Sequence, residues 1–338
     1  MRVIPCLLTT SVTVKINVLP FREFFKPVNR YFAPLLIMTL SSALLILVTT
    51  YATSMRYKNV CQAGASNEGE LVDHWPDTGL TLENLGHATL LINFFGVRVI
   101  SDPTLFSRVG VAVDSIFTIG PRRIIAPVLT AAQLQTVRVI VITHAHMDHL
   151  DLPSLKALPK SAIVVACRGC GALLRSLGFR DVRELSWDES TVADGLMISA
   201  MGARHWGKRF PPFGRDYGFN SYILEKDGHR MLLACDSADT DLFAALATNP
   251  PAVAAFSIAA YDPWIWNHAN PEQVWKMFVQ TGARYLVPIH WGTFRLSREP
   301  MDEPMRRLVA AAGVNAERIV MRQIGVPWRL PRDSQAAK

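Results

Sequence analysis

The chain has 338 residues, half of them hydrophobic, enough for one large domain or two modest ones with a sizeable core. Its formal net charge is +7, but residues 1–60 hold seven Lys or Arg and one Glu, leaving 28 basic and 27 acidic residues beyond. The globular part is therefore near neutral, which removes the main electrostatic argument for nucleic-acid binding. Five scattered cysteines exclude a disulfide framework.

Residues 1–30 form a basic leader. Residues 31–55 carry no charge, and Ala33 to Ala52 is dominated by Leu, Ile, Ala, Thr and Val. Twenty helical residues at about 1.5 Å each span about 30 Å, the hydrocarbon thickness of a bilayer. This stretch is expected to be an uncleaved transmembrane anchor rather than a signal peptide, whose apolar region is shorter. Arg2, Lys15, Arg22, Lys26 and Arg30 precede it and only Arg56 and Lys58 follow closely, which puts the amino terminus in the cytoplasm and the rest on the far side of the membrane. Residues 56–78 are a polar linker, and residues 79–330 are the globular domain.

Within that domain, Leu82 to Asn93 and Val97 to Ser101 read as strands around a turn at Phe95-Gly96, ending in Asp102-Pro103. Leu105 to Pro127 is loop-like, and Ala131 to Thr136 is a short helix. Val137 to Thr143 is a buried β-branched strand. Further strands are expected at Ala162 to Ala166, Leu196 to Met201, Ser221 to Glu225, Met231 to Ala234, Ser257 to Ala260, Tyr285 to Ile289 and Arg318 to Gln323. Helices are expected at Gly171 to Leu177, Asp241 to Ala247, Pro271 to Thr281 and Pro304 to Ala312. Hairpins followed by mixed βα units predict an α/β fold, an αββα sandwich of two mixed sheets with outer helices. Cys167 and Cys170 have CxxC spacing without a second pair, and read as small buried residues at a strand-to-helix turn.

The chemistry concentrates after the central strand, in His144, His146, Asp148 and His149. Asp151 is an N-cap for the next helix, with Pro153 in its first turn. Buried polar groups without partners cost about 1–3 kcal/mol each, so four of them in six residues call for a ligand. Neutral imidazole and carboxylate suit a divalent transition metal. One cluster cannot close two metal sites, but other strands end in His205, Asp236 and His290, which could complete them. Asp236 would be the carboxylate between the two.

The motifs resemble the metallo-β-lactamase superfamily, and within it the branch of N-acylphosphatidylethanolamine phospholipase D and L-ascorbate-6-phosphate lactonase. Gly86-His87-Ala88-Thr89, Ser101-Asp102-Pro103 with Phe106-Ser107-Arg108, and Gly120-Pro121-Arg122-Arg123 carry the likeness. So do His144 to His149, His205-Trp206 with Arg209, His268-Ala269-Asn270-Pro271-Glu272, and Ile289 to Phe294. The likeness covers roughly residues 80–295. It implies His144, His146 and His205 on a first metal, Asp148, His149 and His290 on a second, Asp236 bridging, and His268 in the pocket against substrate or leaving group. The family's usual Gly-Asp-Thr-Gly is here Cys235-Asp236-Ser237-Ala238, which keeps the carboxylate and changes its surroundings.

The expected cofactor is two divalent ions, zinc first, with manganese or iron as alternatives. Such a pair lowers the pKa of a shared water towards about 7, giving a nucleophile at neutral pH. Asp148 both ligates and can take a proton. The expected activity is hydrolysis of a phosphodiester, such as a phospholipid, in the manner of a phospholipase D. A lactonase of phosphorylated sugar acids is the alternative within the class, and a non-catalytic metal-binding membrane protein the alternative outside it. The substrate is a lipid or small molecule, and a homo-oligomer is compatible with the sequence. His87 reads as a structural turn residue. Arg209 and Arg122 are candidates for meeting a phosphate, and Trp264, Trp266, Trp291, Phe210 and Phe213 for walling an apolar pocket.

Overall fold

A computed structural model of the chain describes residues 75–113, 117–210 and 213–332. The expected leader, the anchor over residues 31–55 and nearly all of the linker lie outside the described residues. Among the described residues, no helix is long and apolar enough to cross a membrane.

The first half builds a meander of β1 (Leu80–Gly86), β2 (Thr89–Phe94) and β3 (Val97–Ser101), then a small hairpin of β4 (Val111–Val113) and β5 (Phe117–Ile119). Next come β6 (Val139–Ile142), helix α1 (Leu152–Ala157), β7 (Ile163–Cys167), helix α2 (Gly171–Ser176), β8 (Val182–Leu185), β9 (Ser190–Ala193) and β10 (Leu196–Met201). A second small hairpin, β11 (Lys208–Phe210) and β12 (Phe213–Asp216), precedes β13 (Ser221–Lys226) and β14 (His229–Leu233). The chain ends through β15 (Val253–Ser257), α3 (Pro271–Gln280), β16 (Tyr285–Ile289), α4 (Glu303–Ala312) and β17 (Trp328–Arg329).

These strands make a seven-stranded sheet in the order β17-β1-β2-β3-β6-β7-β8 and a six-stranded sheet in the order β16-β15-β14-β13-β10-β9. Both are mixed: β3, β6, β7 and β8 run parallel, as do β14, β15 and β16, while the remaining neighbours are antiparallel.

The period-2 alternation of side chains sorts the apolar residues into three layers. Leu90, Ile92, Val99, Val139 and Val141 from the first sheet meet Ile198, Tyr222, Leu224, Leu233 and Val287 from the second. The alternate residues Leu91, Ile100, Ile140 and Ile142 face Leu155 of α1 and Leu174 of α2. On the other side, Leu232, Ala254, Phe256 and Leu286 face Val274 and Phe278 of α3 and Leu308 of α4. The result is the expected helix–sheet–sheet–helix sandwich. Asp151 caps α1 as read, accepting the Ser154 backbone N–H at 3.1 Å.

Several boundaries differ from the sequence reading. Leu82 to Asn93 is not one strand, because Gly86 and His87 both take positive φ, of 106° and 57°, and turn the chain between β1 and β2. The strand expected at Ser257 to Ala260 lies instead at Val253–Ser257 and stops where Ala260, at φ 66°, leaves extended geometry. No strand forms over Arg318 to Gln323: Gly313–Arg318 is a 3-10 helix, and Ile319 makes an isolated bridge to Leu286. The expected helices at Ala131 to Thr136 and Asp241 to Ala247 are 3-10 turns, Ala131–Leu134 and Leu242–Thr248. Leu105 to Pro127 contains the β4–β5 hairpin, and β8, β9, β11, β12 and β17 were not foreseen.

Candidate metal centre

Strand ends deliver the chemistry. His144, His146, Asp148 and His149 follow β6, His205 follows β10, Asp236 follows β14 and His290 follows β16. All seven come together, along with His268 from the loop before α3. On one side, His144 Nε2 lies 2.9 Å from His146 Nδ1, which is 3.3 Å from His205 Nε2. On the other, His290 Nε2 is 3.4 Å from Asp148 Oδ2, and His149 Nε2 is 3.7 Å from the same oxygen. Between them stands Asp236, whose Oδ2 is 3.0 Å from His149 Nε2, 3.2 Å from His290 Nε2 and 3.9 Å from both His144 Nε2 and His268 Nδ1. Its other oxygen is taken by the Ser257 hydroxyl.

The outward ring nitrogens are fixed by the protein. His144 Nδ1 donates to Thr143 Oγ1 at 3.0 Å, His149 Nδ1 to Asp102 Oδ2 at 2.8 Å, and His205 Nδ1 to the Asn267 carbonyl at 3.0 Å. Each bond takes the outer nitrogen and leaves Nε2 on the inner side, the atom that a metal-binding imidazole presents once deprotonated. Asp102 also accepts the Thr143 N–H and hydroxyl, so one carboxylate organises the whole start of the motif. The inner atoms are left without hydrogen-bond partners: His149 Nε2, His268 Nδ1 and His290 Nε2 are buried and have none. Such orphaned nitrogens beside carboxylates are costly unless a cation completes them. The donor set is nitrogen and oxygen, which fits zinc and equally manganese or iron.

The two halves differ electrostatically. Burial, reinforced by neighbouring imidazoles, holds His144 and His205 well below the ordinary histidine range, and burial brings His146 down to about 4. Burial opposes charge on His149 and His290 too, but the facing carboxylates outweigh it. Asp236, Asp148 and Asp102 hold His149 well above its usual value, while Asp236 and Asp148 push His290 up to about 9. In return, burial is overcome at Asp148 and Asp236, whose carboxyls sit well below the ordinary range. His268 is lowered to about 4 by burial and is neutral at physiological pH.

Backbone geometry marks the same place. His87, Asp102, Cys235 and His290 all adopt positive φ, between 39° and 65°. L-residues enter this region at a cost of roughly 1 kcal/mol or more, and such strain concentrates at functional sites.

Some expectations need correction. Arg209 is buried and meets no open space: its guanidinium donates to the carbonyls of Ala145 and Leu150 at 2.7 and 2.8 Å, clamping both ends of the His/Asp loop. Arg122 is exposed, in a bridge with Arg108. Trp264, Trp266 and Phe210 are 50%, 74% and 51% exposed. Asp102, Ser257 and Asn267 support the site and had no role in the sequence reading. Asp102 had a legible signal, a carboxylate at a strand end before proline; Ser257 and Asn267 had none. Cys167 and Cys170 sit as expected between β7 and α2, buried, with sulfurs 3.3 Å apart.

Strand-ended donors where two mixed sheets meet form a candidate metal centre, and comparison with known proteins agrees with this fold. Residues 110–291 match the family model described as the beta-lactamase superfamily domain. The chain is 34% identical over 243 residues to an uncharacterized protein of Mycobacterium tuberculosis, covering 69% of this chain and 64% of that one. It is 26% identical over 283 residues to the N-acyl-phosphatidylethanolamine-hydrolyzing phospholipase D 1 of Caenorhabditis elegans, covering 76% of this chain and 77% of the relative. Among solved structures, an isothiocyanate hydrolase from Delia radicum gut bacteria matches with a TM-score of 0.60 at 19% identity, over 74% of this chain and 98% of that one. The chain thus spans a little under two thirds of the length of the mycobacterial relative. It belongs to the metallo-β-lactamase superfamily and is similar to N-acyl-phosphatidylethanolamine-hydrolyzing phospholipases D.

Proposed function

We propose that the protein hydrolyses phosphodiesters, phospholipids foremost, at a site holding two divalent cations. The observation that carries the reading is the position of Asp236 Oδ2, which faces His149 and His290 on one side and His144 on the other. His144, His146 and His205 would hold one cation, Asp148, His149 and His290 the second, with Asp236 between them. The pair, when bound, supplies a water acidic enough to ionise near neutral pH and positive charge for the attacked and leaving oxygens.

The chain's own residues do the rest. Asp148 is ionised and partly exposed at the rim, so it can accept the proton released when water attacks. His268 is neutral, and its Nδ1 has no protein partner, so it can hydrogen-bond a substrate or leaving-group oxygen. Asp102, Thr143 and Asn267 hold the ligand imidazoles in register before substrate arrives. The exposed Trp264 and Trp266 lie on the loop that carries His268 and offer apolar contact to a lipid chain. The named activity of the worm relative supports the same substrate class. An anchor over residues 31–55 would place the site beside its substrate at the membrane.

The experiment is hydrolysis of an N-acylated phosphatidylethanolamine in mixed micelles, with a sugar-acid lactone as competitor substrate, by the full chain and by His146→Ala. Release of the phosphatidic acid product by the wild type alone is the expected result. Lactone turnover without phosphodiester cleavage would contradict the reading.

A further inference from the structure

His87 belongs to neither set of three, yet it is tied directly to the site. Its Nε2 lies 2.9 Å from Asp148 Oδ2, and its ring is 4.0 Å from that of His290, centroid to centroid. One ligand atom from each of His87, Asp148, His149 and His290 lies within 4.8 Å of all the others. The imidazole is buried, with a side-chain exposure of 1%, whereas Asp148 keeps 19%.

The turn that presents His87 is heavily constrained. Its N–H donates to Thr293 Oγ1 at 2.7 Å, and its carbonyl accepts the His290 N–H at 2.8 Å. The β1–β2 turn of one sheet is thereby stitched to the end of β16 in the other. The residue before it must be glycine: Gly86 has φ 106°, and a Cβ there would lie 2.2 Å from the Arg123 guanidinium. A left-handed histidine held this firmly, and aimed at a carboxylate, is more than a turn residue.

His87 and Asp148, at 2.9 Å, stand at the spacing of an ordinary N–H···O hydrogen bond. The same Asp148 oxygen faces His290 at 3.4 Å and His149 at 3.7 Å, so a carboxylate held by His87 stays aimed at both.

We propose that His87 is a positioning residue for the second cation site, its Nε2–H holding the Asp148 carboxylate against His149 and His290. The inference rests on the metal-centre reading. It makes the second site depend on the β1–β2 turn, 61 residues before Asp148, and leaves the first site independent of it.

The test is metal affinity. Full chain in detergent is stripped by chelator and titrated with zinc alone, in competition with a chromophoric chelator, beside His87→Asn and His87→Gln. Asparagine tolerates left-handed backbone, but its amide stops short of the Nε2 position; the glutamine amide reaches it. His87→Asn should remain folded without metal, bind the first zinc normally and bind the second about 10–100-fold more weakly. His87→Gln should recover most of the loss. Normal second-site affinity in His87→Asn would overturn the proposal. Equal weakness in both variants would also overturn it, because direct ligation or packing would then be the role. A folded wild type that binds no zinc would instead overturn the metal-centre reading itself.

Discussion

At the scale of single residues, the two halves of the site respond differently to protons. In the metal-free protein His290, pushed up to about 9, and His149, held well above its usual value, carry protons at neutral pH. Those protons occupy the inward positions a cation would take. His144, His146 and His205 are already neutral. Cation binding near pH 7 should therefore release protons, and from the second site rather than the first. Calorimetry in buffers of differing ionisation enthalpy counts them, and no release would contradict this charge arrangement. The sign for stability follows the same pKa values. The raised histidine pKa values contribute stability to the metal-free fold at pH below about 6.5, and His290 loses its contribution as pH rises through about 9.

At the scale of elements, the site depends on braces that come from distant pieces of chain. Arg209 of β11 donates to both Ala145 O and Leu150 O, so a two-stranded hairpin holds the loop between β6 and α1. Both bonds leave one nitrogen, Nη1, and a lysine ammonium ends one bond short of that position, out of reach of the two carbonyls together. Arg209→Lys should cost about 1–3 kcal/mol, the penalty for buried carbonyls left without donors, and should weaken metal retention. Thermal melting and dialysis against chelator measure the two, and an unchanged variant would remove the brace from the account.

How much of this was legible follows from the kind of signal each element carries. The strand–turn–helix around His144 to Asp151 was readable because a β-branched run, a polar turn and a capping aspartate agree with one another. The donors after β10, β14 and β16 were readable for the same reason. The edge strands were not: β9 alternates weakly and is mostly exposed, and β17 has two residues. Their pairing comes from neighbours already in place rather than from their own pattern. His87 was legible as a turn but not as a contact of Asp148, since 61 residues separate the two. Arg209 was misread because an arginine near a metal motif suggests an anion, whereas its partners are main-chain carbonyls that no sequence displays.

At the scale of the whole molecule, the sandwich places the site where its two sheets meet at one end. Isolated bridges from His87 to Trp291 and from His144 to Phe219 cross between the sheets there, and Asn220 N–H donates to Thr143 O at 2.9 Å. Each putting-together of the two sheets is thus also an assembly of the donor set, and ligand binding stabilises a fold by an amount that grows with the logarithm of ligand concentration over dissociation constant. The central claim is that Asp236 joins two cations in one centre. Elemental analysis of purified, folded full-length chain beside Asp236→Ala tests it most directly. The account predicts close to two divalent ions per chain in the wild type and a sharp fall in the variant. Folded wild-type protein free of metal, after exposure to zinc, manganese and iron in turn, would contradict it.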